Sequence, residues 1–257
     1  TPKLIIFRFH RYGNLTRLPS MNLILLNPTD FITEDQVRLS GRRFDHISTI
    51  HRAEPDSQLR VGLLNGKIGH GLITNMDPNF VELTVKLTQP PPEKLPVTLL
   101  LALPRPKMLK RVMQSVTSLG VKQIYLINTF RVEKSFWNSP LLQTDNLHEQ
   151  LLLGLEQARD TILPEVHLRQ RFKPFVEDEL PDLCKGTNAL VAHPTSGRIA
   201  LPKAGQPTTL AIGPEGGFIT YEVEKLETCG FTAFSFGERI LRVETAVPAI
   251  LSRLLPI

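Results

Sequence analysis

From residue 80 to residue 87 the chain alternates, with Val81, Leu83, Val85 and Leu87 interleaved with Glu82, Thr84, Lys86 and Thr88. A period of two marks a strand with one buried and one wet face. Upstream, residues 59–64 are apolar, Asn65-Gly66 is a hairpin signal, and residues 68–74 are apolar again. Residues 22–26 read as another strand. Residues 42–51 read as a helix with Phe44, Ile47 and Ile50 on one side. Short strands crowded into one unit predict a small β-barrel-like module.

The rhythm changes after residues 89–96, where three consecutive prolines favour polyproline II and predict a semi-rigid linker. Residues 97–103 are continuously apolar, as in a strand buried on both faces. Residues 107–120 carry a helical stripe of Leu109, Val112, Met113, Val116 and Leu119, stopped by Gly120. A strand at 124–127 follows, then a helix over 145–163 with Leu147, Leu151, Leu155, Ala158 and Ile162 on one face. Short strands at 189–192 and 209–212 precede a helix at 221–229, capped by Thr220 and ended by Gly230. A strand at 231–236 and a helix at 244–254 complete the pattern. Alternating strands and helices predict an α/β class with a mostly parallel sheet. The expected organisation is a basic leader or extension at 1–20, a β-module at 21–88, a linker at 89–96 and an α/β domain at 97–257.

Composition narrows the classes. The chain has 257 residues, 41% hydrophobic and 21% charged, an ordinary globular balance that excludes a disordered or collagen-like protein. Its apolar runs are too short to span a bilayer, so no membrane is expected. Cys184 and Cys229 stand far apart without CxxC spacing, which fits a reducing, cytoplasmic setting. A net charge of +5 and a pI of 9.3 favour a polyanionic partner modestly. Acid-free basic clusters lie in the first twenty residues and at Arg105, Lys107, Lys110 and Arg111. A third group, Arg38, Arg42, Arg43, His46, His51 and Arg52, is diluted by Asp45. Position 1 is not Met, which points to a trimmed or partial chain.

Candidate chemistry concentrates near the C-terminus. Residues 213–218, Gly-Pro-Glu-Gly-Gly-Phe, join a short buried strand to a helix. Glycines there permit positive φ and close approach of a ligand to the backbone. Amides at the following helix start suit an anion or polar ligand. A plain tight turn is the alternative. The spacing is GxxGG rather than GxGxxG, and the loop comes too late in the chain for a dinucleotide fold. Residues 236–246, Phe-Gly-Glu-Arg-Ile-Leu-Arg-Val-Glu-Thr-Ala, repeat the strand–loop–helix plan. Two such loops from neighbouring parallel strands meet at one sheet edge, where α/β folds bind ligands. Arg242 and Glu244 are then either site residues or a surface charge pair. Residues 62–67 are read as a hairpin rather than a P-loop, since Ile68 replaces the required hydroxyl. His148-Glu149 lacks the second His of a zinc helix, and no metal is expected.

Taken together, residues 213–218 and 237–246 resemble the RsmE family of SPOUT-superfamily methyltransferases. Residues 114–121, Gln-Ser-Val-Thr-Ser-Leu-Gly-Val, are similar to that family's QKATELGV helix. Residues 152–166 resemble its EQSGR segment, and residues 42–71 its N-terminal region. Departures fall at Ser115 and Ser118, at the ARDTI run, at Pro248, and in the early end at Ile257. The resemblance implies transfer of a methyl group from S-adenosylmethionine to N3 of a uridine in 16S ribosomal RNA, within the small ribosomal subunit. It implies a PUA-like β-barrel before a SPOUT-type parallel sheet with a C-terminal trefoil knot, working as a homodimer.

The implied cofactor residues are Leu190 and His193, then Ile212, Gly213, Pro214, Glu215, Gly216 and Gly217, then Phe236, Gly237, Ile240 and Leu241. Arg242 is the implied stabiliser of a developing uridinate, Glu244 the implied base or orienting group, and Thr245 a cap or base contact. Arg42, Arg43, Arg52, Arg105 and Lys107 are candidates for RNA phosphates. The target base has to be unpaired or flipped out. The alternatives are an RNA-binding homologue with little or no turnover, and a phosphate-binding enzyme using residues 213–217 in another fold.

Overall fold

The structure, a computed structural model, describes residues 22–50, 54–193, 204–235 and 237–255. The basic leader, Arg52 and Phe236 lie outside the described residues. Strands β1 (Ile24–Leu26), β2 (Gln36–Ser40), β3 (Gln58–Leu63), β4 (Ile68–Met76) and β5 (Phe80–Gln89) form a mixed sheet in the order β1-β3-β4-β5-β2. Only the β1–β3 pair is parallel. The alternation on β5 is realised: Leu83 pairs with Val37 and Val81 with Leu39, and all four are fully buried. Asn65 adopts φ +59° in the β3–β4 turn, a left-handed conformation that Asn tolerates. Helix α1 (Gly41–Asp45) runs on as a wider helical turn through His46–Ile50, and Ile47 is fully buried.

The second sheet has six strands, all parallel, in the order β11-β9-β10-β6-β7-β8. Along the chain these are β6 (Leu95–Ala102), α2 (Pro106–Ser118), β7 (Val121–Ile127), α3 (Thr144–Ala158) and β8 (Glu165–Arg169). The short helices α4 (Phe172–Pro174) and α5 (Leu180–Leu183) follow, then β9 (Asn188–Ala192) and β10 (Thr208–Ile212). Helix α6 (Thr220–Thr228), β11 (Thr232–Phe234) and α7 (Val243–Ser252) end the fold. The continuous apolar run of β6 lies in the middle of the sheet, and Leu99, Leu100 and Leu101 are fully buried. The stripe of α2 turns Leu109, Val112, Met113 and Val116 inward, and Gly120 takes φ +83° just past the helix end.

Several boundaries differ from the sequence reading. Gln89 still pairs with Ile68 and Leu95 already pairs with Val121, so the proline spacer is shorter than residues 89–96. Helix α3 stops at Ala158 because Arg159 turns left-handed at φ 57° and Asp160 leaves to pair with Lys122. Ile162 is therefore not on its face. Thr220 is the first helical residue rather than the cap. Ile219 occupies the cap position, and Glu222 accepts its amide at 3.0 Å. Strand β8 had no sequence signal: Glu165, His167 and Arg169 alternate on an edge strand that pairs only with β7.

The mixed sheet is fastened to α3. Leu23 donates its amide to Glu156 O at 3.0 Å, and Asn65 donates to Thr161 O at 2.8 Å. Leu23, Leu25, Ile68 and Leu155 form one small apolar cluster across the junction. Both cysteines are unpaired and half-buried, and burial pushes the Cys184 thiol up to about 11. Among the described residues no helix is long and apolar enough to cross a membrane.

Candidate active site

Every strand of a parallel sheet ends at the same edge, so the loops after β6, β7, β9, β10 and β11 share one side. The two glycine loops meet there, although they do not leave neighbouring strands as expected: β9 stands between β10 and β11. They close on a cavity of about 260 Å³. Of the residues the resemblance singled out, His193, Ile212, Gly213, Pro214, Glu215, Gly216, Gly217, Gly237, Ile240 and Leu241 line it. Leu190 does not. It sits two residues before the end of β9, 5% exposed within the sheet core.

Sequence reasoning missed part of the wall. Ala192, Phe234, Ser235, Arg239, Val243, Ala246 and Ile250 also line the cavity. Phe234 and Ala192 are strand ends, and Val243, Ala246 and Ile250 share one face of α7 by their spacing of three and four. That spacing was the available signal. The walls at Ile212, Phe234, Leu241, Val243 and Ile250 are apolar, while the rim offers glycine-loop backbone and the Ser235 hydroxyl. An apolar slot with a few convergent polar groups suits a flat heteroaromatic ligand.

The glycines serve the loop in different ways. Gly217 has φ +73°, a region other residues rarely adopt, and its amide closes a turn onto Pro214 O at 2.7 Å. At Gly216 the space that a Cβ would fill is taken by Arg131, whose Cδ lies 2.8 Å from that position. On that side Gly216 therefore faces the Arg131 side chain, while it still lines the cavity. Arg131 also donates to Gly216 O, which pins the loop after β7 to the glycine loop. Arg105, after β6, gives its amide to the Glu215 carboxylate at 3.3 Å.

Arg242 is the N-cap of α7; its carbonyl accepts the Thr245 amide at 2.9 Å and the Ala246 amide at 2.8 Å. Its side chain is exposed and has no ion-pair partner among the described residues, so it does not pair with Glu244. Glu244 is half-buried in the first turn and Thr245 is exposed. The three stand beside the cavity, between its lining residues Leu241, Val243 and Ala246, without lining it themselves.

The two candidate arginines of α1 are engaged elsewhere. Arg42 holds Glu156 through two hydrogen bonds of 2.8 and 3.1 Å, which raise its pKa. Arg43 pairs with Asp30 and donates to Leu25 O at 3.1 Å. Both line a second, larger cavity of about 650 Å³ between α1, α2 and α3, which Ser115, Ser118 and Pro248 also line. No glycine loop opens into it. Ser118 Oγ lies 2.9 Å from Gln114 O and 3.0 Å from Gly154 O, at the seam of α2 and α3. Lys107 and Arg105 are exposed on the loop side of the parallel sheet. No group of three or more metal-binding side chains gathers among the described residues.

A parallel sheet whose loops enclose an apolar slot at the strand ends defines an α/β ligand-binding domain. Residues 91–255, well over half of the chain, match the RNA methyltransferase domain family, and the chain belongs to that family. It is similar to the ribosomal RNA small subunit methyltransferase E of Treponema pallidum, at 29% identity over 236 residues covering 89% of this chain and 88% of the relative. It is also similar to ribosomal RNA small subunit methyltransferase E 1 of Borreliella burgdorferi, at 24% identity covering 89% and 95%. Among solved structures, the ribosomal RNA small subunit methyltransferase E of Neisseria gonorrhoeae bound to S-adenosyl methionine superposes with a TM-score of 0.73. That match has 20% identity and covers 90% of this chain and 95% of that one. At such identity the superposition establishes a shared fold. The resemblance read from the two glycine loops is thus met by relatives of the same name across most of the chain.

Proposed function

We propose that this chain is an S-adenosylmethionine-dependent methyltransferase acting on N3 of a uridine in small-subunit (16S) ribosomal RNA. The observation that carries the reading is the convergence of both glycine loops on one apolar slot in a chain of the RNA methyltransferase family. The slot fits the cofactor's chemistry: Ile212, Leu241 and Ile250 offer apolar walls for adenine, and loop amides and carbonyls offer partners for its edge. When bound, S-adenosylmethionine supplies a methyl group already activated on a sulfonium.

The chain's own residues orient the base and manage one proton. Uridine N3 carries a proton that has to leave as the methyl arrives. Glu244 is the candidate to take it, directly or through a water. Arg242 combines a guanidinium that has no ion-pair partner among the described residues with the positive end of α7, and both favour the negative charge growing on the uracil. Thr245, one residue beyond Glu244, is the candidate to bond the base. Arg105 and Lys107 are candidates for RNA phosphates. Arg42 and Arg43 would first have to exchange their carboxylate partners.

The finer fold reading, a PUA-like module and a trefoil knot, belongs to the same proposal. Its support is topological. β11 is an edge strand, yet α7 packs against α2, so the chain recrosses the ends of β9 and β10. Gly205 donates to Leu254 O at 3.1 Å, which ties the returning segment to the stretch before β10. Homodimer assembly, a small-subunit substrate and a cytoplasmic site complete the reading. The departures at Ser115, Ser118 and Pro248 fall at the larger cavity rather than the slot, which favours turnover over a binding-only role. The test is direct. Calorimetry should show binding of S-adenosylmethionine, and N3-methyluridine should appear in small-subunit RNA only when the protein is present. Binding without the modified base would leave the binding-only alternative.

A further inference from the structure

Phe130 is 77% exposed at the apex of the loop after β7. Its neighbours Thr129 and Val132 are buried, and the Val132 amide bonds Thr129 O at 3.1 Å, so the apex is a tight turn. The Phe130 amide itself donates to the buried carboxylate of Glu222 at 2.7 Å. Arg131, the next residue, is bonded to the glycine loop. The backbone is therefore fixed on both sides while the ring is held out into water, and a large apolar ring kept there forgoes its burial.

The surroundings say what would cover it. The loop after β7 lies beyond that of β6 along the sheet edge, on the side of the cavity away from β11. Arg131 follows it directly, Arg105 and Lys107 are exposed just after the adjoining strand β6, and Glu133, Glu215 and the buried Glu222 are the acidic neighbours. An exposed aromatic face beside the glycine loop, with cations on its own loop and on the adjoining one, has the chemistry that receives an unpaired nucleobase, with flanking phosphates neutralised by the basic residues.

We infer that Phe130 is a stacking platform for an unpaired base of the RNA, next to the nucleotide that enters the slot. The inference rests on the methyltransferase reading and deepens it, by naming a positioning residue for a single-stranded RNA segment. Stacking is non-ionic, so it contributes affinity without adding to the salt dependence that phosphate contacts create.

The experiment compares the parent chain with Phe130→Ala and Phe130→Trp on a fluorescein-labelled single-stranded fragment of small-subunit RNA. Phe130→Ala should bind roughly tenfold more weakly with an unchanged salt slope. Its KM for RNA should rise similarly with kcat little changed, and calorimetric affinity for S-adenosylmethionine should match the parent. Phe130→Trp should restore binding, and the new indole should be quenched on adding RNA. Lys107→Ala is the contrast, expected to flatten the salt slope by about one ion. If the parent binds RNA and Phe130→Ala binds equally well, the platform is overturned while the methyltransferase reading stands. If the parent binds no RNA, both fall. A variant that keeps RNA affinity but changes sedimentation would assign the ring to a protein interface and overturn the proposal.

Discussion

Glu222 accepts the amide of Phe130 at 2.7 Å and so joins the first turn of α6 to a loop 92 residues earlier in the chain. Its other oxygen accepts the Ile219 amide at 3.0 Å. The carboxylate is 3% exposed, so neither amide would find water easily if it were lost. Glu222→Ala should cost about 3 kcal/mol in urea denaturation, as expected for hydrogen bonds to a charged acceptor. Glu222→Gln, which keeps one acceptor oxygen, should cost about half of that. An Ala variant as stable as the parent would mean that these contacts contribute nothing net.

A second buried carboxylate marks the end of α3. Asp160 receives Lys122 Nζ at 2.5 Å, and the same ammonium reaches Ile162 O at 2.7 Å. Both side chains are buried, so removing either one strands a charge. Asp160→Ala or Lys122→Met alone should destabilise by about 3–5 kcal/mol, and the double variant should cost clearly less than the two single losses added together. Thermal melts of the four proteins decide it. Additive losses would show that the two groups act independently.

This pair also shows where sequence reasoning stops. Residues 145–163 carry an apolar stripe long enough for one helix, and nothing local announces that Asp160 will turn away to meet Lys122, 38 residues earlier. Tertiary pairing overrode the pattern. By contrast, β5, β6 and α2 were legible because burial on one face or on both writes itself into the spacing of Val and Leu. The glycine loops were legible as loops, and their meeting was expected, but not the intervening β9. Strand order is a property of the whole sheet. The role of Arg131 at Gly216 was invisible, since a surface arginine carries no signal of what it will touch. The same holds for Arg42 and Arg43, whose carboxylate partners come from distant positions.

The conformation of Gly217 gives a third expectation. At φ +73° a Cβ is strained whatever space surrounds it, by about 1–2 kcal/mol. Gly217→Val should relieve that strain by moving the loop and so withdraw the backbone groups that border the slot. Calorimetric affinity for S-adenosylmethionine should fall at least tenfold while the far-UV spectrum stays that of the parent. Parent-like affinity would remove the glycine loop from the cofactor site.

Arg242 provides the sharpest test. It leaves the second glycine loop as the cap of α7, fixed through its own carbonyl, with its guanidinium unpaired among the described residues. The lining residues Leu241 and Val243 flank it, so the charge stands at the slot without occupying it. A group so placed contributes little to holding the cofactor. It contributes most when negative charge develops on the uracil as N3 loses its proton, an interaction made mainly in the transition state. Arg242→Ala should therefore keep the melting temperature and the affinity for S-adenosylmethionine, yet slow single-turnover methylation of small subunits roughly a hundredfold, about 3 kcal/mol. Arg242→Lys should recover part of the rate, because the charge returns without the planar fork. A structural anchor predicts the reverse, a lowered melt with a normal rate from the folded fraction. A parent-like rate in Arg242→Ala would end the catalytic assignment and leave Glu244 as the residue to test next.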